Sequence, residues 1–185
     1  MSPTADKKIK VLLCDDSLGA RRLLRDVIAG AADMAVIGEA TNGRLALELI
    51  TTYKPDILIL DVEMPIMNGL ETLAELRKSN TRLPVIMFSR LTPSAALTTL
   101  EALQLGADDY VAKPSGSQAR ADIIASLRRE LLPKIEALFR RRDPSLSVQP
   151  AAPLATKRRA LPPRVDVVAV AASTGGPTAL ATLLA

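Results

Sequence analysis

The stretch "ILILDVEMPIMNGLE", Ile57–Glu71, contains a strand, a loop and the start of a helix in immediate succession. Its apolar run "ILIL" predicts a buried strand, and the acidic residue Asp61 follows that strand directly. Farther on, Leu70, Leu73 and Ala74 form the apolar stripe of a helix. Ligands of open parallel sheets bind outside the carboxyl ends of the strands, so Asp61 is the first candidate site residue.

Similar apolar runs recur along the chain about 25 residues apart. They predict strands that begin at Ile9, Met34, Ile57, Pro84 and Asp109. Apolar stripes between the strands indicate helices, for example at Leu23, Leu24, Val27 and Ile28. This alternation predicts an α/β domain with a parallel sheet and helices on both of its faces.

After the fifth strand the alternation of predicted strands and helices ends. Ile124, Leu127 and Leu131 predict a long helix from about Gln118 towards Phe139, with a kink or break near Pro133. Residues 140–164 are rich in proline, alanine and basic residues and predict a flexible linker. Residues 165–185 begin with a new strand but are too few to bury a core. We expect them to be the truncated start of a second α/β domain.

Composition narrows the class of protein. The chain has 185 residues, one cysteine and no histidine. It shows no signal-peptide pattern and no apolar run of the ~20 residues that cross a bilayer, so we expect a cytoplasmic protein without membrane insertion. The formal net charge is +4, and its basic excess lies in residues 126–185. Proline, alanine and serine separate these basic residues, which favours a solvated linker over a nucleic-acid partner.

Polar side chains lie at the carboxyl ends of four predicted strands. Taken singly, they have ordinary explanations: a helix cap at Asp16 or Ser17, a loop acid, a surface hydroxyl and a solvated lysine. Taken together, the three acids predict a Mg²⁺ site, and the hydroxyl and the lysine predict a bound dianion such as a phosphoryl group. The set is Asp15, Asp16, Asp61, Ser89 and Lys113.

The motifs "VLLCDDS", "ILILDVEMPIMNGLE", "IMFSRLT" and "GADDYVAKP" resemble the receiver domains of two-component response regulators. The resemblance covers roughly residues 7–130. It implies a flavodoxin-like (βα)5 fold with a five-stranded parallel sheet.

The same resemblance assigns roles to the polar residues. Asp61 would be the phosphoacceptor for a phosphohistidine of a sensor histidine kinase, and Ser89 and Lys113 would bind the phosphoryl oxygens. Tyr110 matches an aromatic switch residue, although a simple partly buried tyrosine is the alternative. The Mg²⁺ ligands would be Asp15, Asp16, Asp61 and the backbone carbonyl of Glu63.

A second motif, "VAVAASTGGP" at Val168–Pro177, has three interpretations. It is a glycine turn with Ser173 as a helix cap, a phosphate cradle, or a nucleophilic serine at a strand-to-helix turn. The P-loop and dinucleotide fingerprints are absent, which weakens the second interpretation. Spacing alone does not decide between the others.

A receiver followed by a basic linker and "AASTGGP" resembles the chemotaxis protein-glutamate methylesterases, as do "KPSGS" and "FSRLT". The resemblance implies that Ser173 attacks the methyl ester of a glutamate in methylated chemoreceptors, and that the activity extends to glutamine deamidation. One departure from the motif is Ala171, where many relatives have glycine.

That family uses a Ser–His–Asp triad, and this chain has no histidine. We therefore predict that the 185 residues are an incomplete enzyme without esterase activity of their own. Two alternatives are a response regulator with a DNA-binding output and a stand-alone phosphorylation sink. The strand-and-turn pattern after Val165 argues against a helix-turn-helix.

Overall fold

Short strands rich in valine, isoleucine and leucine form the centre of the domain in the computed structural model, which describes residues 8–79, 82–90, 100–114 and 119–142. The sheet is parallel, and its strand order is β2-β1-β3-β4-β5. This is the flavodoxin-like order that the sequence predicted. The strands are β1 (Ile9–Cys14), β2 (Met34–Ala40), β3 (Ile57–Leu60), β4 (Val85–Ser89) and β5 (Asp109–Ala112).

Helices follow the strands, and three of them begin at side-chain caps. Ser17, Asn42 and Asn68 each accept a backbone N–H three residues ahead, which satisfies a donor that the first turn leaves free. The helices are α1 (Leu18–Ile28), α2 (Gly43–Tyr53), α3 (Gly69–Lys78), α4 (residues 100–104) and α5 (Arg120–Arg142).

The sheet separates two apolar cores, as expected for helices on both faces. On one face α1 and α5 pack together through Leu24, Val27 and Leu131, which are fully buried. On the other face, Leu73 and Leu76 of α3 pack under β3 and β4. Both faces of β1 and β3 are therefore buried, and the polar ends of these strands are held rigidly.

Two predicted details differ from the structure. Strand β4 begins at Val85 rather than Pro84, since proline has no N–H for the ladder, and it includes Ser89. Helix α5 continues through Pro133 to Arg142 and includes residues 140–142 of the predicted linker. Buried Leu131 and Ile135 on either side of Pro133 hold the helix against the sheet.

The rest of the predicted linker, residues 143–164, and the segment 165–185 lie outside the described residues. In the described part of the chain, no helix combines the length and the apolar character needed to cross a membrane.

The loop between β3 and α3 contains a strained residue. Ile66 has a φ of 70° and is 77% exposed, so a β-branched side chain occupies the left-handed region and gains little from packing. Asparagine tolerates this conformation much better.

We expect Ile66→Asn to raise the free energy of unfolding by about 1 kcal/mol, because the left-handed conformation costs an L-residue ~1–2 kcal/mol. Urea denaturation measures the change. Ile66→Val keeps the branched Cβ and should bring no gain. Equal stabilities for the two variants would show that the backbone at this position is not strained.

Candidate functional site

The buried carboxylates of Asp15 and Asp61 lie side by side at the carboxyl edge of the sheet. The register pairs Cys14 of β1 with Leu60 of β3, so the next residue of each strand emerges at the same level. The Asp15 N–H donates to the carbonyl of Ala40 at 3.1 Å, and the Asp61 N–H to that of Cys14 at 2.8 Å. The backbone ladder therefore extends one residue past the strands and fixes both acids.

Asp16, which is exposed, completes the acidic cluster. One carboxylate oxygen from each of Asp15, Asp16 and Asp61 lies within 4.8 Å of the others. Backbone N–H groups hold one oxygen of each buried acid: Ser17 donates to Asp15 Oδ1 and Val62 donates to Asp61 Oδ1. Because like charges at this distance repel one another, the cluster requires a cation.

The ammonium group of Lys113 provides a positive charge next to the two buried acids. Its Nζ lies 2.8 Å from Asp15 Oδ2 and 2.7 Å from Asp61 Oδ2, and its side chain is only 14% exposed. The ammonium also lies 5.7 Å from the centre of the Phe88 ring. The backbone N–H of Lys113 donates to the carbonyl of Ser89. This hydrogen bond fixes the start of the loop after β5.

Asp61 and Lys113 affect each other's pKa. Burial raises the pKa of Asp61, and the charge of Asp15 adds to that rise, whereas Lys113 opposes it. Burial alone would lower the pKa of Lys113, but its contacts with the two acids outweigh burial and raise the pKa. Lys113 therefore remains charged at neutral pH and neutralises part of the cluster.

The oxygens of this cluster fit a divalent cation. The buried Asp15 Oδ2 is held by the Lys113 ammonium at 2.8 Å, and one carboxylate oxygen of each acid lies within 4.8 Å of the others. Carboxylate oxygens from Asp15, Asp16 and Asp61 are hard ligands of the kind that Mg²⁺ prefers. Asp16, at the exposed side of the cluster, leaves solvent access for water ligands.

Ser89 and Tyr110 are also brought to this edge. Ser89 ends β4 and is 6% exposed. The Tyr110 hydroxyl donates to the Ser89 carbonyl at 3.0 Å, and burial raises the pKa of that hydroxyl. The predicted switch residue is thus connected to the predicted phosphoryl-binding residue through the backbone.

The remaining predicted residues have different placements. The Glu63 side chain is exposed and lies 3.8 Å from the Arg90 guanidinium, across the rim between the loops after β3 and β4. The use of its backbone carbonyl as a metal ligand stays a prediction. Ser173 lies outside the described residues.

Sequence reasoning missed two residues that shape the site. A Cβ on Gly69 would collide with the Asp61 carbonyl oxygen, so only glycine allows α3 to begin against that backbone. Its signal was the "NG" step before the helix. The second residue is Arg21, whose guanidinium donates to the carbonyl oxygens of Asp15 and Asp16. A basic residue one turn into the helix after two acids was its signal.

Comparisons with known proteins show which family has this fold. The family model described as the response regulator receiver domain matches residues 11–126. The crystal structure of the response regulator domain of Thermotoga maritima CheB superposes with a TM-score of 0.63 at 40% sequence identity. The match covers 71% of this chain and 96% of that domain.

Curated relatives extend the similarity beyond the receiver. A protein of Trichodesmium erythraeum named protein-glutamate methylesterase/protein-glutamine glutaminase is 40% identical over 183 residues, which cover 96% of this chain and 52% of that protein. A protein of the same name from Pyrococcus horikoshii is 40% identical over 184 residues, or 96% and 49%. This chain thus spans about half the length of the relatives it matches.

Replacement of Lys113 by methionine should lower the free energy of unfolding by about 3 kcal/mol at neutral pH, because two buried carboxylates lose their cation. Chemical denaturation at low ionic strength measures the loss. Adding Asp15→Asn to Lys113→Met should recover part of it by removing one of the repelling charges.

The matched control is Lys78→Met, since Lys78 pairs with Glu75 but its side chain is 73% exposed. Such a surface pair contributes at most about 1 kcal/mol. Losses of similar size for the two lysines would contradict the role of Lys113 as the counter-charge of the cluster.

Proposed function

This chain belongs to the response regulator receiver family, and we propose that it takes a phosphoryl group on Asp61 from the phosphohistidine of a sensor histidine kinase. The observation that carries the proposal is the placement of Asp61. Its carboxylate is buried at the end of β3, 2.7 Å from the Lys113 ammonium and beside Asp15 and Asp16. A buried acid, a cation and two neighbouring carboxylates in one crevice suit phosphoryl transfer, which needs positioning and charge neutralisation.

In the proposed reaction, a carboxylate oxygen of Asp61 forms a bond to phosphorus while the bond between phosphorus and the imidazole nitrogen breaks. Val62 holds Oδ1 of Asp61 through its N–H, which orients the carboxylate for in-line attack. Mg²⁺ held by Asp15, Asp16, Asp61 and the Glu63 carbonyl would neutralise charge on the phosphoryl oxygens. Lys113 would exchange its contact with Asp61 for one with a phosphoryl oxygen.

Ser89 and Tyr110 would then change position in response to phosphorylation of Asp61. A phosphoryl group carries about −1.5 to −2 charges and three acceptor oxygens, and the Ser89 hydroxyl is the donor nearest along β4. Any shift of Ser89 moves the carbonyl that accepts the Tyr110 hydroxyl. We propose that Tyr110 changes its position in response.

The output we propose is protein-glutamate methylesterase activity, with glutamine deamidation, on methylated chemoreceptors in the cytoplasm. Its support is the name of the curated relatives and an alignment that covers nearly all of this chain. Ser173 would be the nucleophile. A triad of the Ser–His–Asp type needs a histidine as general base, and these 185 residues contain none. We therefore propose that they do not hydrolyse the ester by themselves.

The phosphorylation proposal is tested with acetyl phosphate and Mg²⁺. Intact-mass spectrometry should show the addition of one phosphoryl group to the wild-type chain, and none to Asp61→Asn or in excess EDTA. Asp26→Asn is the control, since Asp26 pairs with Arg120 and belongs to neither the acidic cluster nor its loops. Labelling of Asp61→Asn at the wild-type rate would place the phosphoacceptor elsewhere.

The proposed inactivity of these 185 residues is tested on the chain itself. Methanol release from membranes that contain methylated chemoreceptors should stay at the level of the protein-free blank, with or without acetyl phosphate. The same assay on Ser173→Ala gives the matched comparison. Release by the wild-type chain that disappears in Ser173→Ala would show that another group replaces the histidine and would overturn the proposed inactivity.

A further inference from the structure

The loop from Asp15 to Ser17 supplies two of the three acids, and among the described residues one side chain, that of Arg21, donates hydrogen bonds to its backbone carbonyls. Arg21 Nη1 donates to the Asp15 carbonyl at 2.7 Å and to the Asp16 carbonyl at 3.2 Å. We propose that Arg21 is a positioning residue of the acidic site, which fixes the backbone of Asp15 and Asp16 for a divalent cation. The cation part of this inference rests on the proposed function.

The two carbonyls define the direction of the Asp16 side chain. The Asp15 carbonyl belongs to the peptide plane before the Asp16 Cα, and the Asp16 carbonyl belongs to the plane after it. Fixing both planes fixes the backbone dihedrals of Asp16 and thereby the direction of its Cβ. Asp16 is exposed, so burial does not hold it in place as it holds Asp15.

Arg21 is itself anchored by Glu39, at the end of β2. The Arg21 Nε donates to Glu39 Oε2 at 3.1 Å, and the Arg21 side chain is only 11% exposed. A planar guanidinium can donate to a carboxylate on one side and to carbonyls on another, which an ammonium cannot do with the same fixed geometry. We call the contacts of Arg21 with Glu39 and with the carbonyls of Asp15 and Asp16 the Arg21 clamp. The Arg21 clamp therefore depends on the shape of the arginine side chain and not on positive charge alone.

Arg25 provides an internal comparison because it shares the same anchor. Its Nε donates to Glu39 Oε1 at 2.9 Å, and in the described part of the chain its side chain makes no hydrogen bond to the Asp15–Ser17 loop. Burial would raise the pKa of Glu39, but the hydrogen bonds and charges of Arg25 and Arg21 outweigh it and lower the pKa. Glu39 thus stays ionised between two arginines, of which one reaches the loop.

At the loop, the Arg21 clamp makes its contacts with backbone oxygens and not with the carboxylate oxygens of the acids. Lys113 occupies Oδ2 of both Asp15 and Asp61, whereas Arg21 binds only carbonyl oxygens of the loop. Arg21 therefore orients the acids without competing for the oxygens that would bind the cation. Repulsion among the three carboxylates would otherwise favour an outward movement of the exposed Asp16.

The test compares Arg21→Gln with Arg25→Gln in two measurements on the whole chain. The first is the Mg²⁺ dissociation constant from isothermal titration calorimetry. We expect about tenfold weaker binding for Arg21→Gln, in the range found when a residue that orients metal ligands is removed. Arg25→Gln should stay close to wild type. Arg21→Lys should bind as weakly as Arg21→Gln, since it keeps the charge and loses the geometry.

The second measurement needs no metal. Amide hydrogen exchange of Asp15 and Ser17, whose N–H groups donate to Ala40 and to Asp15 Oδ1, reports opening of the loop. We expect faster exchange at both amides in Arg21→Gln and wild-type exchange in Arg25→Gln. If Arg21→Gln fails to fold, Glu39→Gln replaces it, since that change leaves Arg21 in place and weakens the anchor that it shares with Arg25. Wild-type exchange in Arg25→Gln then shows that the loss of the Arg25 contact is not the cause.

The outcomes separate this inference from the proposed function. Wild-type Mg²⁺ affinity and loop exchange in a folded Arg21→Gln would overturn the inference and leave the metal site standing. Equal losses in Arg21→Gln and Arg25→Gln would also overturn it, because the effect would then be one of charge. A wild-type chain that binds no Mg²⁺ would overturn the proposed metal site, while faster exchange confined to Arg21→Gln would still support the positioning role.

Discussion

The repulsion among three carboxylates at one edge of the sheet is the constraint on which the rest of the site depends. Asp15 and Asp61 are almost fully buried, so water does little to screen them, and Lys113 contacts both. Such a cluster does not hold itself together. It persists because the ladder of β1, β2 and β3 fixes the backbone of the buried acids, and because Arg21 fixes the loop that carries the exposed one.

The topology explains why these acids meet at all. Parallel strands in adjacent positions end at the same edge, and the pairing of Cys14 with Leu60 places the residues after β1 and β3 at the same level. The pairing of Ser89 with Ala112 does the same for β4 and β5, which brings Lys113 to the site. Close packing then completes the arrangement, because Gly69 lets α3 start against the Asp61 backbone.

The sequence was sufficient to predict those parts of the site that follow from the position of an acid directly after an apolar run. The ends of β1 and β3 were predicted correctly, since apolar runs bounded by acids leave little choice of boundary, and Asp15 and Asp61 followed from them. Arg21 and Gly69 were missed because their roles depend on contacts made in three dimensions. Of the kink or break predicted near Pro133, the break was wrong for a related reason: packing of Leu131 and Ile135 keeps the helix continuous through the proline.

Hydrogen bonds at this edge of the sheet also connect the acidic cluster to Tyr110 of β5. The Ser89 carbonyl accepts both the Lys113 N–H and the Tyr110 hydroxyl, so the lysine that neutralises Asp61 and the aromatic residue share one backbone atom. Tyr110 is connected in turn to α5, because Lys134 donates to its carbonyl at 2.6 Å and to Asp109 at 2.9 Å. Hydrogen bonds, together with the covalent structure of Lys113 and Tyr110, therefore join Asp61 to Lys134 of α5.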